Sequence, residues 1–65
     1  MKMTLKQARR LLPNGAENLA PEATSITALR DAVKQELAMY RDGTNPLTTT
    51  QVTRFYNFLK STQAE

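Results

Sequence analysis

The side chains that most often carry enzyme chemistry are missing from this 65-residue sequence, which has no cysteine and no histidine. Catalysis would then depend on carboxylates, or on a serine or lysine activated by a neighbour. Asp31 and Glu36 lie on one predicted helix but on different faces, since five residues turn a helix by about 500°. Gly15 and Gly43 are isolated, unlike the glycines of a phosphate-binding loop. The sequence predicts a protein that is not an enzyme, with no catalytic residues, no metal and no cofactor.

Basic residues concentrate near the two ends of the sequence, where their chemistry suits a polyanion. The net charge is +3 and the pI is about 9.7. The basic residues of the first predicted helix share about a quarter of its circumference, opposite an apolar side. The outward positions of the last predicted helix are polar without any acid, which would suit the major groove of DNA. Interpreted as a nucleic-acid surface, these two helices supply Lys6, Arg9, Arg10, Arg54, Asn57 and Lys60. A solvated helix face has the same composition, so that alternative stays open.

A second group of residues could bind another protein through apolar contacts. The predicted core stripe of the last helix consists of Val52, Phe55, Tyr56 and Leu59. Phe58 projects roughly 100° from the centre of this stripe, which would leave it exposed. Aromatic side chains are enriched at the centres of protein interfaces. The predicted partner-binding residues are Tyr40, Leu47, Tyr56 and Phe58. The alternative is that Phe58 lies at the rim of the core.

Three helices must position these residues, and the first and last have the same predicted beginning. Thr4 and Thr48 are each followed three residues later by a glutamine, Gln7 and Gln51, which is the pattern of a capping box. The middle helix has Thr24 or Ser25 as its candidate cap. Its apolar residues then recur every three or four positions, as a helix requires: Ile26, Leu29, Val33, Leu37 and Tyr40.

The ends of the predicted helices are marked by proline and glycine. Pro13 disfavours helical geometry at the residue before it, and Gly43 suits the left-handed position after a helix. The predicted helices cover about residues 4–12, 24–41 and 48–61, with an ordered connector in which Leu19 reaches the core. No alternating pattern supports a strand. The predicted fold is all-α, a small three-helix bundle without a sheet, in one domain over residues 1–65.

The size of the chain bears on its partners. A domain this small buries little apolar surface and is expected to be marginally stable. Because the chain has no cysteine, disulfides cannot stabilise it. We expect that it is stabilised by a larger protein or by a second copy in a homodimer. No apolar stretch approaches the roughly twenty residues that span a bilayer. We therefore expect no membrane partner and, without a signal-peptide pattern, a cytoplasmic location.

These observations favour a small, non-enzymatic helical module that docks on a larger protein as an accessory regulator or inhibitor. In size and composition the chain is similar to accessory proteins of phages and plasmids, which often bind a host protein. The alternative is a small basic nucleic-acid-binding protein that uses the last helix and the basic first helix. The segment 42–47 is longer than the turn of a helix-turn-helix, which disfavours that particular arrangement.

Overall fold

The computed structural model describes residues 3–63, which contain three α-helices and no strand. Helix α1 spans Leu5–Arg10, α2 spans Ile26–Asp42 and α3 spans Thr49–Thr62. The predicted all-α three-helix bundle is confirmed, and each helix end lies within two residues of its predicted place. In residues 3–63 no helix combines the length and apolar character needed to cross a membrane.

The predicted caps form as the sequence indicates. In α1 the Thr4 hydroxyl accepts from the Gln7 amide at 3.1 Å, and Gln7 Oε1 accepts from the Thr4 amide at 2.9 Å. Thr48 and Gln51 make the same pair of bonds at the start of α3. Ser25 is the cap of α2, accepting from the Ala28 amide at 3.1 Å. These local bonds satisfy amides that a helix otherwise leaves unpaired.

Side chains from all three helices form one buried core. α1 and the residues after it contribute Ala8 and Leu12, α2 contributes Leu29, Val33 and Leu37, and α3 contributes Phe55 and Phe58. The predicted stripe of α2 is thus buried from Leu29 to Leu37, whereas Tyr40 at its end is 40% exposed. Leu19 of the connector packs partly against this core, as predicted.

The buried face of α3 differs from its predicted stripe in two aromatic residues. Phe58 is 0% exposed, so of its two predicted positions the exposed one is wrong and the ring belongs to the core. Tyr56 is 46% exposed, so its predicted place in the core stripe is wrong. The reason is that α3 is covered from two directions. The segment that follows α1 lies beside Phe58, since Leu11 and Phe58 line a common cavity.

Two arginines hold the bundle together through oxygen acceptors. Arg9 of α1 donates to the Leu19 carbonyl at 2.8 Å, to the Ala20 carbonyl at 2.7 Å and to the Glu17 carbonyl at 3.3 Å. It thereby fixes the connector at Ala20, a non-glycine residue with φ of 49°. Arg30 of α2 donates through Nε to the hydroxyl of Thr62 at 2.9 Å, near the end of α3.

Candidate functional site

The structure separates the residues predicted to bind nucleic acid into two kinds. Lys6 and Arg10 of α1 and Arg54, Asn57 and Lys60 of α3 are exposed. Arg9 is different, because its guanidinium is occupied by the three connector carbonyls. Arg9 is therefore a residue of the fold and does not offer its charge to a ligand.

A groove lies between α3 and the segment that follows α1, and it consists of two cavities that share Arg54. The first cavity has a volume of about 380 Å³ and is lined by Pro13, Asn14, Thr48, Thr50, Gln51 and Arg54. The second has a volume of about 190 Å³ and is lined by Leu11, Arg54, Asn57, Phe58 and Ser61. We call these lining residues together the α1–α3 groove. Of the residues predicted to bind nucleic acid, it brings Arg54 and Asn57 together.

Gln51 joins the two walls of the groove. Its Oε1 atom caps α3, and its Nε2 atom donates to the Asn14 carbonyl at 3.3 Å. This bond holds the turn after α1 against the first turn of α3. Gly15 permits that turn through its φ of 92°, in the left-handed region that favours glycine. The capping glutamine therefore has a second role, in building the wall of the first cavity.

Charge is distributed unevenly around the groove. Residues 3–16 and 43–63 contain lysine and arginine but no carboxylate, whereas residues 17–42 carry five carboxylates against three cations, a net charge of −2. The groove lies between the two acid-free segments. The carboxylate of Glu17 follows the turn in sequence, and it accepts from the Gly15 amide at 2.9 Å. The groove lining itself contains no acid.

Arg54 differs from Arg9 and Arg30 in its bonding. It is exposed, and within residues 3–63 it makes neither a hydrogen bond nor an ion pair. Its guanidinium can therefore meet a ligand in either cavity without first breaking a bond within residues 3–63. Around it the lining offers amide and hydroxyl groups of Asn14, Thr50, Asn57 and Ser61. Such groups, together with arginine, supply most contacts to phosphate oxygens in nucleic-acid complexes.

The residues predicted to bind a protein are not brought together as expected. Tyr40 and Tyr56 are exposed, Leu47 is half-buried against the core, and Phe58 is fully buried. Met39, which the sequence did not single out, is 42% exposed. The exposed apolar side chains therefore lie on α2 and on the side of α3 away from Arg54, since two residues separate Tyr56 from Arg54 by about 160° around the helix.

Sequence reasoning missed several groove residues, including Asn14, Gln51 and Ser61. The sequence indicates Gln51 as a cap, but nothing in its spacing from Asn14 indicates that the two residues meet. In the described part of the chain no group of three or more acidic, histidine or cysteine residues could hold a metal ion. Comparisons with models of protein families, with curated proteins and with solved structures find no match to this chain.

Proposed function

We propose that this chain is a non-enzymatic protein that binds nucleic acid through the α1–α3 groove and the basic residues around it. The observation that carries the proposal is Arg54, an exposed cation without a partner in residues 3–63 that both cavities share. A phosphate backbone is attracted by such a cation and releases counterions when it binds. The remaining exposed cations on the two acid-free segments are Lys6, Arg10 and Lys60.

The burial of Phe58 changes the balance between the two functions that the sequence suggests. The predicted surface for docking on a larger protein included an exposed Phe58, and the Phe58 ring lies inside the core instead. The nucleic-acid surface loses only Arg9 from its predicted members. A concave, acid-free surface that contains Arg54, which has no partner in residues 3–63, favours a polyanionic ligand over an apolar ligand.

Fluorescence anisotropy of a labelled oligonucleotide tests this function. Wild type, Arg54→Glu and Lys34→Glu are compared at low and moderate salt. Lys34 is the matched control, because it is an exposed cation on α2 outside the groove, and its reversal changes the net charge equally. We expect the affinity of Arg54→Glu to fall by roughly tenfold or more, as for a lost charged hydrogen bond. Lys34→Glu should stay within about threefold, as for a distant surface charge.

Two results would overturn the proposal. One is that wild type shows no salt-sensitive binding up to roughly 100 μM oligonucleotide, the weak end of non-specific affinities. The other is that the two charge reversals weaken binding equally, which would mean that only the net charge matters. Circular dichroism of each variant verifies that the helices are retained.

A second candidate function is docking on a larger protein as a regulator or inhibitor. The observation that favours it is the exposure of Met39, Tyr40 and Tyr56, at 42%, 40% and 46%. A second copy of the chain could use the same side chains. Sedimentation equilibrium of wild type and Tyr56→Ser tests self-association. Affinity capture in the presence of nuclease tests a larger protein, and retention of captured protein that Tyr56→Ser abolishes would favour this function.

A further inference from the structure

We infer that the α1–α3 groove takes the backbone of a single nucleic-acid strand rather than the outside of a duplex. This inference rests on the proposed function and adds to it the form of the ligand. It follows from the position of Arg54 in the groove and from the length of the groove.

The position of Arg54 distinguishes this surface from a helix that reads duplex DNA. A recognition helix projects into a major groove about 12 Å wide, and its contacting side chains lie on the projecting crest. Arg54 and Asn57 instead line cavities beside Leu11 and the turn at Asn14. A duplex resting on α3 would contact the rim of the groove. A single strand can enter it and reach Arg54 from both cavities.

The groove follows α3 for several turns. From Thr50 to Ser61 the helix rises by about 16 Å, at 1.5 Å per residue. Polar side chains occur along this whole length, with Asn14 and Thr50 at one end, Arg54 in the middle and Ser61 at the other end. This arrangement suits a strand that runs parallel to the helix with a phosphate at Arg54.

The groove lining has no exposed aromatic ring on which a base could stack. Phe58 lines the second cavity but is 0% exposed, and Tyr56 lies on another side of α3. Proteins that hold single strands through stacking gain about 1–3 kcal/mol per base. This groove lacks that contribution within residues 3–63, so its affinity should depend on phosphates and vary little with base sequence.

The experiment compares an oligo-dT strand, a mixed-sequence strand and a duplex of equal length, by anisotropy at several salt concentrations. We expect the two single strands to bind within about threefold of each other, because the groove lining offers no ring on which a base could stack. Both should bind at least about fivefold more tightly than the duplex, because a single strand can enter the groove and reach Arg54 from both cavities. Arg54→Ala should reduce the slope of log affinity against log salt by about 0.7, the value for one phosphate of a single strand. Lys34→Ala, the matched control, should leave this slope unchanged.

The outcomes separate this inference from the proposed function. A duplex that binds as tightly as the single strands, in an Arg54-dependent manner, overturns the inference and leaves nucleic-acid binding intact. Single-strand binding with an unchanged salt slope in Arg54→Ala also overturns it, because the strand would then lie elsewhere. Absence of binding to every oligonucleotide removes the proposed function itself.

Discussion

Two regions of the bundle, the connector after α1 and the α1–α3 groove, show two different fates of an arginine. In the first region Arg9 closes the bundle, donating to the carbonyls of Glu17, Leu19 and Ala20. In the second region the chain leaves a groove open, and Arg54 faces it without a partner in residues 3–63. An arginine side chain therefore fixes the fold at Arg9 and stays available to a ligand at Arg54.

The difference follows from the carbonyls within reach of each guanidinium. The connector is irregular, so its carbonyls are not all used by a regular pattern of backbone bonds, and buried carbonyls need partners. Arg30 finds a similar situation at the end of α3, where the last carbonyls of a helix are unpaired, and its Nη2 lies 3.5 Å from the Leu59 carbonyl. Arg54 lies in the middle of α3, where neighbouring carbonyls are paired within the helix. The carbonyl and hydroxyl groups within reach of Arg9 and Arg30 thus make these two arginines part of the fold, whereas Arg54 stays available to a ligand.

The largest effect on the free energy of unfolding is expected for a substitution of Phe58, which lies beneath the groove. Phe58→Ala should lower the free energy of unfolding by about 3–5 kcal/mol, because it removes a buried ring and leaves a cavity. Because a chain of this size has little stability to lose, this variant should be largely unfolded even without urea. Urea titrations followed by circular dichroism measure the free energy of unfolding. Tyr56→Ala is the control and should change the free energy of unfolding by less than about 1 kcal/mol, as expected at an exposed site. Equal losses in the two variants would contradict the assignment of one ring to the core and the other to the surface.

An intermediate effect on stability is expected for Arg9→Ala, which directly tests the bonds between α1 and the connector. Loss of three carbonyl partners should lower the free energy of unfolding by about 1–3 kcal/mol. The connector should also be cleaved faster at Glu17 and Glu22 by a glutamate-specific protease, since its backbone is no longer held. Arg54→Ala should change the free energy of unfolding by no more than about 0.5 kcal/mol. The contrast between the connector and the groove would be contradicted if Arg9→Ala and Arg54→Ala lowered the free energy of unfolding to the same degree.

Local features of the fold could be predicted from the sequence because they are determined within a few residues. The two capping boxes, the Ser25 cap and the left-handed Gly43 depend on neighbours along the chain. Phe58 could not be placed in this way, because its burial depends on which side of α3 the segment after α1 covers. The groove has the same origin: Asn14 and Gln51 are 37 residues apart and meet only through the packing of the bundle.

The smallest effects are expected for substitutions of the two capping glutamines, Gln7 and Gln51. Because both make the same local bonds, the comparison isolates the additional bond of Gln51. Gln7 and Gln51 both accept from the amide of their capping threonine at 2.9 Å, but of the two only Gln51 also donates to the Asn14 carbonyl. Glutamate can replace glutamine in a capping box and gains from the positive end of the helix. Gln7→Glu should therefore leave the free energy of unfolding unchanged or raise it by a few tenths of a kcal/mol.

Gln51→Glu keeps the cap but has no N–H to offer to Asn14. Relative to Gln7→Glu, it should lower the free energy of unfolding by about 0.5–1.5 kcal/mol, the net value of one hydrogen bond. It also places a carboxylate in the lining of the groove, so oligonucleotide affinity should fall by several-fold, whereas Gln7→Glu changes the net charge equally without touching the groove. Urea titration and anisotropy measure the two quantities separately. If both substitutions had the same effect on stability and on affinity, the Gln51–Asn14 bond would not be what shapes the α1–α3 groove.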